Sequence, residues 1–200
     1  DYIGKSFLFS GNFGFPAFPK GNIRYDLKLG GGFLNDSACY PIYASRMIFE
    51  KEPLGVMCNL FIDPETQVDV KGHSYMVFND ERAASVSFGN GNFYQANYQV
   101  WGSKGTIELE RAYSVPPDFP TVIIGKTSQQ NDWSSRKKDV FDISPTNHFS
   151  IMIDVFSNEI FGKEPSPYNF EEDMLLQAKV MDAHRISNNE KRFVKLNEIK

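Results

Sequence analysis

Apolar side chains recur at every second position in two regions of the chain, and this spacing predicts β-strands. In "KSFLFSGNFGF" (residues 5–15), four Phe residues take odd-numbered positions, with Ser6, Ser10 and Asn12 between them. Six more strand-like stretches lie between residues 55 and 125: "GVMCNLFID", "SYMVFN", "ASVSFG", "YQANYQVWG", "TIELERAY" and "TVIIG". The fourth alternates Tyr or an aliphatic residue with Gln or Asn, as a half-buried antiparallel strand does.

Short glycine-rich segments between these stretches predict tight turns. "GNGN" (residues 89–92) and "GSKG" (102–105) have the length of hairpin connections and contain residues that tolerate positive φ. The longer segment "KTSQQNDWSSRKK" (126–138) is almost wholly polar, so we expect a mobile loop there. A short strand, "DVFDI" (139–143), follows it.

Two segments change to the helical spacing of apolar residues. The first places five side chains on one face: Tyr40, Tyr43, Ala44, Met47 and Ile48. Pro41 removes a backbone hydrogen bond from a helix interior, so the regular helix begins near Tyr40 or kinks there. The second carries Phe149, Met152, Ile153, Phe156 and Ile160, and "EPSPYN" (164–169) ends it.

A third helix has a recognisable start. Asn169 can cap it, and Glu172, three residues later, can close a capping box. Its apolar stripe consists of Phe170, Met174, Ala178 and Met181. The element order is thus strand, helix, five or six strands, then two helices. This order indicates the α+β class, with one open, mostly antiparallel β-sheet, helices on one face, and a single domain over residues 1–200.

The composition disfavours some classes of partner. The 200 residues include 21 Lys and Arg against 25 Asp and Glu, a net charge of −4, so no basic field favours nucleic acid. No apolar run approaches the roughly 20 residues of a membrane helix, and no signal peptide is recognisable, so we expect no membrane partner and a cytoplasmic location. Cys39 and Cys58 lie among apolar neighbours without metal-binding spacing, which predicts inert thiols and no metal site.

Three consecutive glycines, Gly30 to Gly32, precede the first helix. A dinucleotide fingerprint requires G-x-G-x-x-G directly after a strand in a βαβ unit, because backbone amides at the helix start must approach the pyrophosphate. "GGGFLND" does not fit that pattern, and antiparallel strand patterns follow it. A crowded turn is therefore the favoured interpretation. A close approach of backbone to a cofactor stays open, with Gly31 and Gly32 as the candidate residues.

Several stretches, in order, resemble a known family. "GGGFLNDSACYP" resembles the "GGG-A-L-x-D-x-G-x-Y/H" segment in the C-terminal domain of the glucose-fructose oxidoreductase and inositol dehydrogenase family (Gfo/Idh/MocA). "NIRYDLKLGGG", "EPLGVMCNLF" and "YQVWGSKGTIELERAYSVP" are similar to the segments around it, and "NHFSIMIDVFSNEIFG" and "FEEDMLLQAKVMDAHRIS" to its closing helices. Family members also have an N-terminal Rossmann domain and an "EKP" segment with a catalytic lysine, and this sequence contains neither. We expect either a piece of a longer polypeptide or a stand-alone domain.

The resemblance implies hydride transfer between C4 of a nicotinamide and a sugar carbon, while a proton enters or leaves the adjacent oxygen. Tyr40 matches the family's acid or base, and Asp36 matches an acidic position that orients substrate hydroxyls or the lysine. A phenol in water has a pKa near 10, so a neighbouring cation is needed, and the family's lysine is the candidate. Two alternatives stay open: Asp36 as a helix cap, and Tyr40 as a core aromatic with a bonded hydroxyl.

The resemblance suggests two substrate-binding residues. Arg24 matches an arginine before the glycines that could meet a phosphate or carboxylate, and an ion pair with Asp26 is an equal alternative. His148, at the head of the predicted second helix, matches a substrate-facing turn. His73 and His184 are isolated on a strand and a helix, which predicts structural roles.

The resemblance thus implies the C-terminal substrate-binding domain of an oxidoreductase that uses NAD or NADP and acts on a sugar or nucleotide-linked sugar. We expect no cofactor on this chain alone and no activity from it. We also expect a homodimer or homotetramer through the open sheet face. A stand-alone, non-catalytic oligomerisation or binding module is the alternative. A cofactor-independent glycosidase ranks last, because no pair of carboxylates can be placed across a cleft.

Overall fold

The protein is built on one large sheet, and its structure is a computed structural model that describes residues 1–129, 132–163, 165–166 and 169–199. The strands are β1 (Ser6–Phe15), β2 (Gly55–Ile62), β3 (Asp69–Val77), β4 (Ala83–Asn90), β5 (Gln95–Gly102), β6 (Gly105–Leu109), β7 (Thr121–Gln129), β8 (Asp132–Ile143) and β9 (Val194–Lys195). The helices are α1 (Cys39–Phe49), α2 (His148–Ile160) and α3 (Phe170–Glu190). A π-helical turn, Leu34–Ala38, leads into α1, and 3₁₀ turns lie at Ile23–Tyr25, Leu27–Leu29 and Leu196–Glu198.

The strand order is β8-β7-β6-β5-β1-β4-β3-β2-β9. Every neighbouring pair is antiparallel except β1 and β4, which are parallel. The predicted α+β class, with an open and mostly antiparallel sheet, is confirmed. "GSKG" does join the hairpin of β5 and β6. "GNGN" does not close a hairpin, because β1 lies between β4 and β5, and turn residues carry no signal for such an insertion.

The polar segment 126–138 is not a loop, so that prediction was wrong. It forms the ends of β7 and β8, in which Lys126 pairs with Lys138 and Thr127 with Lys137, while residues 130–131 lie outside the described chain. Most of the described side chains of β8 are exposed. Because little of this end of the hairpin is buried, its sequence has no alternation of apolar and polar positions to mark a strand.

The helix α1 packs directly on β1. Gly11 permits this contact, because a Cβ at that position would lie 2.9 Å from Cβ of Pro41. The helix begins at Cys39, so Pro41 lies in the first turn, as its sequence predicts. The predicted apolar face was partly wrong: Ile42 and Phe49 are buried, whereas Tyr40 and Met47 are exposed.

The helix α3 covers the β2 side of the sheet with its C-terminal half. Its start is as predicted, since Asn169 Oδ1 accepts from the Glu172 amide at 3.2 Å. In a capping box, the Glu172 carboxylate would accept from the backbone amide of Asn169. Here it accepts from the side-chain Nδ2 of Asn169 at 3.0 Å. The predicted stripe was also wrong in part, because Met174 and Ala178 are exposed while Met181 is buried.

The helix α2 forms where the sequence predicts it but contains no buried residue. Its five predicted core side chains are 50–64% exposed: Phe149, Met152, Ile153, Phe156 and Ile160. The predicted break at residues 164–169 lies partly outside the described residues. None of the helices in the described part of the chain combines the length and the apolarity needed to cross a membrane.

Candidate functional site

Tyr40 stands on the first turn of α1, above the helix-covered face of the sheet. Its ring meets the edge of Phe13 from β1, with ring centroids 5.3 Å apart. The side chain is 44% exposed, and no described residue hydrogen-bonds its hydroxyl. The alternative interpretation, a core tyrosine with a bonded hydroxyl, is therefore wrong. This hydroxyl is free to meet a ligand.

Asp36 and Arg24 form an ion pair beside this helix start. The Arg24 Nε atom lies 2.7 Å from Asp36 Oδ2, and the guanidinium carbon lies 4.6 Å from the Phe18 ring centroid. The alternative pair of Arg24 with Asp26 does not form among the described residues, and Asp26 Oδ1 instead accepts from the Lys28 amide at 2.9 Å. Asp36 caps no described helix amide either. The pair thus fixes Asp36, with its carboxylate partly exposed, one turn before Tyr40.

The three glycines form a turn that packs against the chain itself. A Cβ on Gly31 would lie 2.6 Å from the Arg24 carbonyl oxygen, and Gly32 has φ 115° with its α-carbon facing the Asp69 carboxylate. Asp69 Oδ2 accepts from the Leu34 amide at 2.5 Å, so a side chain already caps this turn. These contacts explain the glycines without a ligand. The expected approach of Gly31 and Gly32 to a cofactor remains a prediction.

A cavity of about 350 Å³ opens beside Tyr40. His148, the first residue of α2, lines it, so the structure brings together two predicted site residues that are far apart in sequence. The other lining residues are aromatic, aliphatic or hydroxyl-bearing: Ala112, Tyr113, Ser114, Val115, Phe119, Thr121, Ile143, Ser144 and Thr146. Neither Arg24 nor Asp36 is among the described residues that line it. The charged pair and the cavity are therefore separate parts of one region around Tyr40.

Aromatic rings form the floor of this region. Tyr113 is 5% exposed and packs against Tyr40 and Tyr98, each with ring centroids 6.1 Å away, and against Phe13 at 5.3 Å. Burial raises the pKa of Tyr113, and the nearby Tyr98 raises it further. Burial also raises the pKa of Tyr98. Both phenols therefore stay protonated and can act as hydrogen-bond donors.

The remaining candidate groups are structural or unreactive. His184 is fully buried between Ser74 Oγ, 2.6 Å from Nε2, and the Val180 carbonyl, 2.7 Å from Nδ1, and burial lowers its pKa to about 4. Its predicted structural role is confirmed. Burial raises the pKa of Cys39 to about 11 and that of Cys58 to about 12, so both thiols stay protonated. No group of His, Cys, Asp and Glu in the described residues could hold a metal ion.

Comparison with known proteins places the chain in a family. The model of the GFO/IDH/MocA C-terminal domain matches residues 1–108, more than half of the chain. This chain belongs to the Gfo/Idh/MocA family. The match includes Arg24, the glycines, Asp36 and Tyr40, and it ends before His148.

Relatives in sequence include two sugar-nucleotide reductases. The dTDP-3,4-didehydro-2,6-dideoxy-alpha-D-glucose 3-reductase of Actinomadura kijaniata is 28% identical over 183 residues, which cover 92% of this chain and 53% of that enzyme. The enzyme of the same name from Saccharopolyspora spinosa is 34% identical over 122 residues, covering 60% of this chain and 36% of that enzyme. This Gfo/Idh/MocA chain thus spans about half the length of its relatives, or less.

Solved structures share the fold. KijD10, a 3-ketoreductase from Actinomadura kijaniata in complex with NADP and TDP-benzene, superposes with a TM-score of 0.83 at 27% identity, over 93% of this chain and 55% of KijD10. The aldose-aldose oxidoreductase from Caulobacter crescentus, complexed with glycerol, gives a TM-score of 0.82 at 22% identity, over 97% and 56% of the two chains. The second similarity supports the fold alone.

Sequence reasoning did not single out Asp69, Tyr98 or Tyr113. Asp69 lies 33 residues beyond Asp36 at the start of β3, and only the sheet brings it to the glycine turn. Tyr113 ends "LERAY" within the stretch "YQVWGSKGTIELERAYSVP" that resembles the family, and that resemblance was the available signal. Its burial beneath Tyr40 depends on tertiary packing, which the local sequence does not encode.

Proposed function

We propose that this chain is the substrate-binding part of an NAD(P)-dependent oxidoreductase that acts on a sugar or a nucleotide-linked sugar. The observation that supports this proposal is the unbonded hydroxyl of the partly exposed Tyr40, at a small cavity lined by hydroxyls, aromatic rings and His148. NADP is favoured over NAD because the KijD10 complexes contain NADP. A dTDP-linked sugar is the favoured substrate class because the sequence relatives are named for one.

The chemistry requires a proton as well as a hydride. Reduction of a ketone adds hydride to carbon and a proton to oxygen, and oxidation reverses both transfers. A bound nicotinamide supplies or accepts the hydride. Tyr40 holds the proton: its hydroxyl donates to the oxygen as negative charge develops there, and its exposure allows exchange with solvent. By resemblance, the cation that adjusts this tyrosine is a lysine from the Rossmann domain of the family.

Asp36 acts as the orienting acceptor in this proposal. The ion pair with Arg24 fixes its carboxylate, and Arg24 is itself fixed by its position over the Phe18 ring. No described residue hydrogen-bonds oxygen Oδ1 of Asp36, so this oxygen can accept from a substrate hydroxyl or from the lysine. Such positioning aids both binding and the chemical step.

The described residues do not form a pyrophosphate-binding loop. The glycine turn faces carbonyl and carboxylate oxygens of its own chain, and the Leu34 amide at the following helical turn is already bonded to Asp69. A pyrophosphate would meet negative charge there in place of free amides. We therefore assign the cofactor to a separate domain, and we assign residues 1–200 to one substrate-binding and oligomerisation domain.

Replacement of Tyr40 by Phe tests the catalytic role. In a protein that joins this chain to a cofactor-binding Rossmann domain, Tyr40→Phe should lower kcat by roughly 10²- to 10⁴-fold, the usual effect of losing a positioned acid or base. The melting temperature should stay within about 1 °C, because the lost hydroxyl bonds no described residue. Asp36→Asn should change both kcat and KM, because it orients bound substrate as well as the transition state.

Tyr94→Phe is the matched control, because Tyr94 is also partly exposed and does not line the cavity. It should leave kcat within about twofold of the original value, well inside the effect of losing a catalytic acid or base. A Tyr40→Phe protein that retains near-original kcat would end the catalytic assignment. The second candidate function, a non-catalytic oligomerisation module, would then be favoured by the exposed aromatic residues on the open sheet face.

A further inference from the structure

Arg111 is a cation held between two aromatic rings, and no acidic side chain neutralises it. It follows β6, and its guanidinium carbon lies 5.4 Å from the ring centroid of Tyr94 and 5.0 Å from that of Phe119. Both distances are those of cation–π contacts. Arg111 forms no ion pair with a described residue. The two rings therefore fix a positive charge that the described part of the chain leaves uncompensated.

The terminal nitrogens of Arg111 are open to a ligand. Nη2 donates to the Ser114 carbonyl oxygen at 3.5 Å, which is long for such a bond. Nη1 bonds no described residue and stays accessible to solvent, whereas Nε is buried within the stack. Because the rings cover the two faces of the guanidinium, its terminal N–H groups point outward along one edge. This fork matches the spacing of phosphate oxygens.

This charge lies beside the cavity at Tyr40. Two residues that Arg111 contacts, Ser114 and Phe119, line that cavity. The described lining residues include no Lys or Arg, so a phosphate group would find no counter-ion in the lining itself. Arg24, a second arginine near Tyr40, already has an acidic partner. Arg111 is therefore placed to bind an anionic group at the edge of the cavity.

We propose that Arg111, held between Tyr94 and Phe119, binds the diphosphate of a nucleotide-linked sugar. The inference rests on the proposed function and deepens it, because it assigns the charged part of that substrate to a named residue. The terminal nitrogens donate to phosphate oxygens, and the rings already hold the guanidinium plane, so little side-chain freedom is lost on binding. No bond forms or breaks at Arg111, so it is a binding residue and Tyr40 remains the acid or base.

Titration of the 200-residue chain with dTDP and with thymidine, followed by NMR, tests the inference. Arg111→Met keeps an unbranched side chain between the rings but removes the charge and the donors. It should weaken dTDP binding roughly 10-fold, the lower end for hydrogen bonds to a charged group, because Arg111 is only partly buried. The affinity for thymidine should not change, because that probe has no phosphate.

Two further measurements separate a binding role from a purely structural one. Arg111→Lys keeps the charge but cannot form the planar fork, so it should recover only part of the lost dTDP affinity. Added salt should weaken dTDP binding by the original chain more than binding by Arg111→Met, because salt screens the attraction between charges.

Arg82→Met is the matched control. Arg82 also lies over an aromatic ring, with its guanidinium carbon 5.6 Å from the Phe49 centroid, and it also has a buried Nε without a described partner. Its terminal Nη1 donates to the Phe49 carbonyl oxygen at 3.0 Å, and Phe49 does not line the cavity. This variant should leave both affinities unchanged.

Equal dTDP binding by Arg111→Met and the original chain would overturn the inference. So would an original chain that binds dTDP no more tightly than thymidine. A parallel loss of affinity for both probes would assign Arg111 a structural role and also overturn it. Each of these results would leave the proposed function standing, because that function is decided by the kinetics of Tyr40→Phe.

Discussion

Gly32 and Asp69 together determine the path of the backbone into α1. Gly32 has φ 115°, in a region that side chains disfavour, and an added Cβ would collide with the Asp69 carboxylate. That carboxylate accepts from the Leu34 amide, so the collision would disturb the bond that starts the π-helical turn. The position of Asp36 and Tyr40 therefore depends on a residue with no side chain.

We expect Gly32→Ala to lower the free energy of unfolding by about 2–3 kcal/mol, from backbone strain and the displaced Asp69 together. Gly30→Ala is the control. Gly30 also has positive φ, 77°, but has open space where a Cβ would lie, so the cost should be about 1 kcal/mol. Urea unfolding of both variants measures the difference. Equal losses would show that Asp69 makes no contribution through this contact.

His184 should make the stability depend on pH. Burial lowers its pKa to about 4, against about 6.5 in the unfolded chain, so the folded protein binds fewer protons between these values. The free energy of unfolding should therefore fall by roughly 3 kcal/mol as the pH drops from about 6.5 to about 4. Urea midpoints across this range should fall less steeply for His184→Gln than for the original chain. His73→Gln, which changes an exposed histidine, should keep the original slope.

The family resemblance supplied the candidate residues Asp36, Tyr40 and His148, and the local sequence accounts for only part of their arrangement. Asp36 and Tyr40 lie one turn apart in one quoted segment, so local spacing placed them together. His148 joins Tyr40 only because β8 returns α2 to this side of the sheet. The burial of the Tyr113 hydroxyl without a partner could not be predicted from the sequence, because it is a property of the packed structure.

At the scale of elements, a buried arginine joins α1 to α3. Arg46 is 3% exposed, and its guanidinium forms two bonds to Glu52, at 2.7 and 2.8 Å, one to Gln177 at 2.7 Å and one to Asp173 at 3.1 Å. Burial alone lowers the pKa of Arg46, but its bonds to Glu52 and the charge of Asp173 outweigh burial and raise it. The network holds the charged faces of two helices together.

We expect Arg46→Met to lower the free energy of unfolding by about 1–3 kcal/mol. This is less than the loss of one partner costs in a fully buried ion pair, because the carboxylates of Glu52 and Asp173 are partly exposed and can be solvated by water. Arg46→Lys keeps the charge but cannot form the two parallel bonds to Glu52, so it should recover less than half of the loss. Thermal unfolding of both variants measures this. If Arg46→Lys had the stability of the original chain, the positive charge alone, and not the two parallel bonds, would account for the contribution of Arg46.

Periodicity predicted which elements exist better than it predicted what covers them. The apolar spacing of α2 is helical, and a helix forms there, yet all five apolar positions are exposed. The spacing of apolar residues predicts that a helix has an apolar face, whereas the burial of that face depends on another element packing against it. The polar end of the β7–β8 hairpin shows the converse: the strands extend there without apolar alternation, because their hydrogen bonds need no buried side chains.

At the scale of the whole molecule, the sheet has two unlike faces. The helix side is filled by core residues such as Phe9, Val86 and Met76. The open side has polar pairs at its centre, among them Asn12 with Asn97 at 2.9 Å. Exposed apolar residues, including Met57, Tyr75 and Trp101, surround these pairs. Such a mixture of polar pairs and aromatic anchors is typical of an interface between protein subunits.

We expect the chain to form a homodimer or homotetramer through this open face at micromolar concentration, burying about 1,600 Å² or more. Tyr75→Glu should shift the population toward monomer, because a charge would be buried in the contact. Met174→Glu, which changes an exposed apolar residue on the helix side, should not. Light scattering measures the masses. A monomer for the original chain would contradict the prediction.

The central position of β1 also affects the order in which the sheet can fold. Leu8 pairs with Ala83 on one side and with Trp101 on the other, so β1 is synthesised long before either partner exists. Until β4 and β5 have been synthesised, both edges of the Phe-rich strand β1 stay unpaired. The sheet segments β2–β4 and β5–β8 cannot be connected before β1 pairs with both. Late closure between distant segments slows folding and prolongs the exposure of such strands to aggregation. Expression at lower temperature, or with chaperones that hold nascent chains, should therefore raise the yield of folded protein.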